Sequence, residues 1–327
     1  MLKNSKKFIG FLLILLVLAA PLVAWWQSNA LYDWYRLRDY TPPASIVSLA
    51  NQDTFKPYTR HLFYVNRPQL LNTVASFRQD CPENENTIVL GCYHSGQQGI
   101  YIYNVQDSAL AGVQQVTAAH EVLHSVYARL STKQRNYVDG LLENYYKNDL
   151  HDPRVLDEVK LYQQTEPNDV MDEMHSTFGT EIASLPLPLE KYYQQYFSNR
   201  QAIVTFEQNY QGEFTNRENQ VNADDTQLAG LKQQIDSEEQ SLSQQSAQIN
   251  SDRAHLDSLR SSGQTDAYNA AVGPFNDEVS AYNQGVDQLK NDIASYNDLV
   301  NSRNAIAQDL ASLDKALDTR LSTQSAQ

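Results

Sequence analysis

The feature that most constrains the fold of this chain is a seven-residue repeat of apolar side chains in its last third. No proline occurs between Pro188 and Pro274, and Gln, Asn, Ser and Asp dominate this stretch. Apolar residues recur at intervals of seven, at Leu228, Ile235, Leu242, Ile249 and Leu256. A repeat of this length keeps one stripe of an α-helix against a partner helix, which is the pattern of a coiled coil. The sequence therefore predicts long paired helices within residues 201–327.

A second apolar stripe follows, with spacings that alternate between four and three residues from Phe275 to Val300. The segment between the two stripes, SSGQTDAYNAAVGP, contains Gly, Ser and Pro and is predicted to connect two antiparallel arms of a helical hairpin. Glu238, Gln245 and Asp252 fall on seam positions, so we expect the first arm to be the weaker one. Disorder is the alternative for so polar a region, and the sustained heptads disfavour it.

The N-terminal region predicts the compartment. Three lysines precede Phe8–Trp26, a run of 19 residues without a charge, which is about the length that a helix needs to cross a bilayer core. Lysines at the start of such a helix stay in the cytoplasm, so we expect a single-pass cell-membrane protein with its remainder outside the cytoplasm. A cleavable signal peptide ending near Ala24 is the alternative, and it exports the remainder as well.

Charge and cysteine content narrow the partners and the redox setting. The net charge is -14, and residues 201–327 contain 19 acidic against 8 basic side chains, so nucleic acid is not an expected partner. Cys81 and Cys92 are the only cysteines, and in an exported chain they are predicted to form a disulfide that closes a short loop. Two buried thiols are the alternative.

Between the ends of the chain, the pattern predicts an α+β domain. We place the membrane segment in residues 1–30, a stiff, non-helical juxtamembrane linker containing Pro42-Pro43 in residues 31–53, and the compact domain in residues 54–200. Within this domain, helices are predicted over residues 66–79, 116–131, 137–149 and 167–186, and strands over residues 87–93 and 99–105. The expected fold is mostly helical with a small sheet.

One predicted helix contains a motif with chemical meaning, the sequence His120-Glu121-Val122-Leu123-His124. Residues i and i+4 lie on one face of a helix, so both imidazoles can reach a single Zn²⁺ ion. The intervening glutamate then lies close enough to act on a water molecule bound to that ion. We interpret His120 and His124 as metal ligands and Glu121 as the general base.

This helix resembles the active-site helix of the HExxH zinc metallopeptidases, and the resemblance extends over residues 54–200. The metzincin pattern does not continue, because Tyr127 and Leu130 stand where that family has its glycine and third histidine. The resemblance is therefore to the gluzincin type, in which a glutamate on a later helix is the third zinc ligand. It implies a zincin-like catalytic domain that hydrolyses peptide bonds.

The third ligand is expected on the helix that contains Glu173. Glu173 and Glu181 border the apolar face of that helix, where an acidic group is costly to bury unless it meets a cation. We choose Glu173 as the ligand, with Glu181 and His175 as alternatives. The resemblance places Thr177 where membrane-bound gluzincins have an Asp that supports a zinc-bound histidine. It also implies that His175, if it is not a ligand, stabilises the oxyanion.

Two functions follow from these residues. The first is a membrane-anchored, extracytoplasmic zinc metallopeptidase, whose peptide or protein substrate is expected to pair with the strand GIYIYNV, residues 99–105, as substrates do with an edge strand in the resembling families. For this strand the other interpretation is that Ile100, Ile102 and Val105 only belong to the core. The coiled coil would then bind a partner or a second copy of the chain. The alternative is an inactive zincin-like envelope tether that acts through its coiled coil.

Overall fold

The structure of the protein is a computed structural model that describes residues 27–82 and 88–320. By its internal contacts the chain forms two units. The compact unit contains the described residues up to Gln211 together with those from Ala316 onward, and the hairpin unit contains Gly212–Lys315.

The compact unit is mostly helical and includes a small sheet. Its helices are α1 (Ser28–Leu37), α2 (Ala44–Gln52), α3 (Pro57–Val65), α4 (Val74–Asp80), α5 (Val113–Ala128), α6 (Thr132–Asn148), α7 (Pro153–Thr165), α8 (Val170–Glu181) and α9 (Leu187–Tyr193). The strands are β1 (Gln69–Leu71), β2 (Gly91–His94) and β3 (Gly99–Tyr103), and a short 3₁₀ turn spans Ser108–Leu110. The helix α10 (Arg200–Ser261) begins in this unit and continues into the hairpin unit.

The sheet has the order β1-β3-β2. Strand β3 is central, pairing in parallel with β1 and antiparallel with β2. Its residues Ile100 and Ile102 are fully buried because the strand has neighbours on both edges and α5 packs against it. The expectation that GIYIYNV is an edge strand is therefore wrong. The edge strand beside α5 is β2, which in the described sheet pairs only with β3.

Helix α5 lies at the centre of the compact unit. It contacts α2, α3 and α8 as well as β2 and β3. Consequently, most of its residues are buried on every face of the helix, from Val113 to Tyr127. A helix enclosed in this way gains its stability from tertiary packing more than from intrinsic helix propensity.

The N-terminal part of the compact unit differs from the prediction. The segment expected to be a non-helical linker contains α1 and α2, and Ile46, Leu49 and Ala50 of α2 are buried in the core. The two prolines separate these helices, since Pro43 is the residue before the first turn of α2. Proline is compatible with a helix start because the first turn has no intrahelical use for its N–H group.

The segment predicted as one helix over residues 66–79 also differs. It contains strand β1 followed by α4, and Thr73 caps α4 by accepting a hydrogen bond from the backbone N–H of Ser76. Leu70 and Leu71 satisfy a short strand as well as a helix, and pairing with β3 decides between them. The end of α4 is joined to β2 by the predicted disulfide between Cys81 and Cys92, which is confirmed.

The hairpin unit contains most of α10 and most of α11 (Thr265–Leu317). Its two helices run antiparallel, because Arg217 pairs with Asp309, Asp225 with Arg303 and Gln234 with Asp292. The seam positions Ile235, Leu242, Ile249 and Leu256 are buried, as the heptads predict. The prediction of two long C-terminal helices is confirmed.

The connection between the arms is shorter than expected. It is a turn at Ser262–Gln264 in which Gly263 has a φ of +71°, a conformation that favours glycine. Pro274 therefore lies inside α11. A proline removes one backbone hydrogen bond from a helix, and the second apolar stripe begins directly after it, at Phe275.

None of the helices within the described ranges combines the length and the hydropathy needed to cross a membrane. The predicted membrane segment, Phe8–Trp26, lies outside the residues that the structure describes.

Candidate metal centre

Helix α5 places the two histidines of the motif side by side. His120 and His124 are one turn apart, with ring centroids separated by 4.9 Å. The helix begins directly after Gly112, whose φ is +110°. A Cβ atom at this position would lie 2.9 Å from the carbonyl oxygen of Phe206, so only glycine fits both the conformation and the space.

Helix α8 packs against α5 and brings Glu173 to the histidines. One carboxylate oxygen lies 3.6 Å from His120 Nε2, and the other lies 3.7 Å from His124 Nε2. Candidate ligand atoms of the three residues all lie within 4.8 Å of one another. Tetrahedral Zn²⁺ with bonds of about 2.1 Å holds its ligand atoms roughly 3.4 Å apart, so the two nitrogen–oxygen distances fit a shared ion. The structure brings together all three residues predicted as metal ligands.

A second carboxylate orients one of the ligands. Asp172 Oδ1 lies 2.8 Å from His124 Nδ1, which keeps the proton on that nitrogen and leaves Nε2 directed at Glu173. The ring of Tyr93 lies parallel to His124 at a centroid distance of 6.4 Å. A carboxylate–histidine pair of this kind is the usual support of a metal-bound imidazole.

Asp172 was not predicted, and the residue expected in its place does not act there. Thr177 is fully buried, and its hydroxyl has no hydrogen-bond partner within the described parts of the chain. The signal in the sequence was the adjacent acidic pair Asp172-Glu173. Side chains of neighbouring residues diverge by about 100° on a helix, so only the position of α5 shows that both can reach the histidines.

The charges around the histidines favour a cation. Burial lowers the pKa of His124, but the charges of Glu173 and Asp172 outweigh it and hold this pKa well above its ordinary value. Burial likewise lowers the pKa of His120, and the contact with Glu173 more than compensates. For Glu173, burial raises the pKa, but the two imidazoles lower it by a larger amount. The carboxyl is therefore more acidic than usual. The donor set and its field both suit a divalent metal ion.

Glu121 lies between the motif histidines and strand β2. Its side chain is buried and reaches Gly91, where an added Cβ atom would lie 2.6 Å from Glu121 Oε1. Burial raises the pKa of Glu121, and the imidazoles of His124 and His120 partly offset this. The strand can approach the carboxylate so closely only because residue 91 has no side chain.

These residues line a cavity of about 650 Å³, a size that suits a ligand site. Strand β2 and helices α5, α7 and α8 supply most of its lining. On the α7 side, Arg154 binds Glu181 at 2.6 Å and Glu207 at 2.9 Å. Glu181, the alternative third ligand, is therefore paired with an arginine and is not part of the histidine cluster.

His175 is not placed at the cavity. It is fully buried, its Nε2 lies 2.8 Å from the hydroxyl of Tyr192, and its ring contacts those of Tyr127 and Tyr193. Burial and the nearby His124 and His120 lower the pKa of His175 to about 3, so it stays neutral. The catalytic role and the alternative ligand role predicted for His175 are not supported, because its neighbour Glu173 faces α5 while His175 faces α9.

Tyr162 of α7 lines the cavity in a position that the sequence did not suggest. Its hydroxyl donates a hydrogen bond of 3.1 Å to Glu158 Oε1 and also interacts with the Glu173 carboxylate. The residue is one of many tyrosines in this chain, and only the placement of α7 distinguishes it from those that pack in the core.

No model of a protein family matches this chain, and no curated protein or solved structure is similar to it.

Proposed function

We propose that this chain is a membrane-anchored, extracytoplasmic zinc metallopeptidase. The observation that supports this most directly is the convergence of His120, His124 and Glu173, with Glu121 beside them at the wall of one cavity. Two imidazoles and one carboxylate are the ligand set of catalytic zinc sites in many peptidases, and such sites leave a further position open for water. The motif supplies the two imidazoles on one helix, α5, as its context requires, and α8 supplies the carboxylate.

Each of these residues, and Asp172 beside them, then has a definite role in catalysis. A bound zinc ion would lower the pKa of a coordinated water and polarise the carbonyl of the scissile bond. Glu121 would act as the general base, accepting a proton from water and passing it to the leaving amine. Asp172 holds His124 in the orientation that its ligand role requires, through the hydrogen bond to Nδ1.

Tyr162 takes the role of oxyanion stabiliser that His175 was expected to have. Its hydroxyl lies at the cavity wall close to Glu173, whereas His175 is enclosed in the core. Because its single O–H is donated to Glu158 before substrate binds, this group would turn from Glu158 to the carbonyl oxygen and stabilise the negative charge that develops there.

Strand β2 is the proposed docking site for the substrate backbone. Residues 88–93 line the cavity, and β2 has a partner on only one side in the described sheet. An extended peptide added to this edge would pass beside Glu121, because Gly91 lies against its carboxylate. The substrate is therefore expected to be an extended segment of a peptide or protein.

The compartment follows from two features. The lysines and the uncharged run Phe8–Trp26 support an anchor with the remainder outside the cytoplasm. The disulfide between Cys81 and Cys92 supports the same side, because such bonds persist in oxidising compartments.

The test compares zinc content and peptide cleavage in the full chain and in two matched variants. We expect equimolar zinc in all three proteins, and cleavage of unstructured protein substrates that falls by about 10²–10⁴-fold in Glu121→Gln. Glu143→Gln is the control, because this exposed residue of α6 pairs only with Lys147 among the described residues. Absence of zinc from the purified chain would end the proposal. Equimolar zinc with equal, negligible cleavage in all three would favour the envelope tether that acts through its hairpin.

A further inference from the structure

In helix α1 the charged side chains Asp33 and Arg36 face the protein, whereas three of its large apolar side chains face outward. Asp33 is buried and binds His61 Nε2 at 3.0 Å as well as Arg129. Arg36 donates to the carbonyl oxygens of Val65 and Gln98. The inward face is therefore held by charge and hydrogen bonds.

The outward face consists of Leu31, Trp34 and Tyr35. Leu31 lies one turn before the adjacent residues Trp34 and Tyr35, and 54%, 65% and 55% of their surfaces are exposed. Single exposed apolar residues are common on proteins, but three on one face of a ten-residue helix, two of them aromatic, form a patch that needs an apolar partner. The guanidinium of Arg38 lies 4.6 Å from the centroid of the Tyr35 ring, and more than half of the surface of each of the three side chains stays exposed.

The position of α1 in the chain identifies that partner. The uncharged run Phe8–Trp26 ends two residues before Ser28, the first residue of α1. Two residue steps span at most about 7 Å, so a run that crosses a bilayer would place the start of α1 at the lipid boundary. Tryptophan and tyrosine are enriched at that boundary because their rings are apolar and carry one polar group.

We propose that the outward face of α1 lies in the headgroup region of the membrane and holds the compact unit against the lipid surface. The inward ion pairs then fix α1 to α3 and α5. As a result, the site is held at a set orientation to the bilayer instead of moving freely on a tether. The inference deepens the proposed anchoring, and it does not depend on the catalytic proposal.

The tryptophans of this chain permit a direct test. Trp25, Trp26 and Trp34 are the only three, so the full chain with Trp25→Phe and Trp26→Phe reports on Trp34 alone. This protein is reconstituted into phosphatidylcholine vesicles containing lipids brominated near the glycerol end of the acyl chain. We expect blue-shifted emission and loss of most of the fluorescence, because an interfacial helix buries its apolar face about 5–10 Å into this region.

The matched control moves the tryptophan to the other face of the same helix. In the same background, Tyr32→Trp with Trp34→Phe places the ring where Tyr32 donates to the carbonyl oxygen of Gln97, and there we expect little quenching. Blue-shifted emission of Trp34 without quenching by the brominated lipid would overturn the proposal, since it would place residues 1–26 or a second copy of the chain on this face. Unshifted, unquenched emission in vesicle-bound protein would overturn it too. Failure of the chain to bind the vesicles at all would overturn the anchor as well.

Discussion

Helices α5 and α10 are both long and regular, yet they are buried in different ways. Twelve of the sixteen residues of α5 are buried, because helices and strands surround it. In the hairpin unit, α10 buries mainly one stripe at intervals of seven, and polar side chains cover the rest. A repeated stripe can be recognised from sequence, whereas an enclosed helix depends on partners that its own sequence does not identify. We therefore expect a single substitution in the hairpin unit to disturb only the packing around it. In the compact unit, a substitution in α5 should disturb packing throughout the unit.

The largest contrast is expected between two leucines. Leu123 of α5 is fully buried and lies where Gly179 lets α8 approach, so Leu123→Ala is predicted to cost about 2–5 kcal/mol and to weaken zinc binding. Leu242 packs on Gly285 across the seam and is 8% exposed, so Leu242→Ala should fall near the lower end of that range and leave zinc binding unchanged. Denaturant unfolding and zinc titration measure both. Equal losses of zinc affinity in the Leu123 and Leu242 variants would contradict this prediction.

Removal of the disulfide between Cys81 and Cys92 is expected to have the next largest effect on the free energy of unfolding. Cys81→Ser with Cys92→Ser releases a loop with a sequence separation of 11, which lowers the free energy of unfolding by about 3 kcal/mol through the entropy of the unfolded chain. Because the bond ties α4 to edge strand β2, we also expect slower cleavage of extended substrates. Thermal unfolding with and without reductant checks the first effect. We expect the double variant and the reduced wild-type protein to unfold at the same temperature. A difference between these two temperatures would contradict the prediction.

A third prediction concerns the support of a metal ligand. Asp172→Asn keeps the size of the side chain but removes the charge that faces His124 Nδ1 at 2.8 Å. Loss of such a partner typically lowers metal affinity about 10–100-fold, and competition with a zinc chelator measures it. Asp169→Asn is the control, since Asp169 lines the same cavity outside the histidine cluster. Equal affinities of the Asp172 variant and the wild-type protein would remove Asp172 from the site.

A feature of the fold or of the site could be predicted from the sequence where the residues that form it lie close together along the chain. The histidine pair, the disulfide and the seam of α10 follow from spacings of four, eleven and seven residues in one stretch of chain. Asp172 and Tyr162 could not be found in this way, because their roles exist only where α7 and α8 meet α5. The edge strand was misassigned for the same reason: the order of strands in a sheet depends on β1, which had been interpreted as helix.

The compact unit also contains an unpaired carboxyl that predicts a dependence on pH. Asp53 is fully buried with no hydrogen-bond partner in the described chain, and burial raises its pKa well above the usual value. Its folded form thus prefers the proton, so stability is highest below the unfolded pKa of about 3.9 and falls as pH rises through the raised pKa. Asp53→Asn should remove this decline and gain about 1–3 kcal/mol at neutral pH. Urea unfolding at several pH values tests it. A decline of the same slope in both proteins would exclude Asp53 as the cause.

The smallest effect is expected for the exposed pairs of the hairpin. Arg303 binds both carboxylate oxygens of Asp225, at 2.9 and 3.1 Å, on the surface of the two arms. Solvent and salt screen such a pair, so Arg303→Gln should leave the melting temperature nearly unchanged, and any difference should vanish at high salt. Circular dichroism at two salt concentrations checks it. A large loss would mean that α10 and α11 depend on more than their apolar seam.

The last described residues have a consequence for the hairpin. The carbonyl oxygen of Thr319 accepts a hydrogen bond from Arg78, and its hydroxyl donates to the carbonyl oxygen of Val89, beside the cavity. The two long helices are thus an insertion rather than a tail, entering from and returning to the same folded body. A single proteolytic cut at the tip near Gly263 would leave both fragments attached, and deleting everything after α10 would remove a support of the cavity wall along with the appendage.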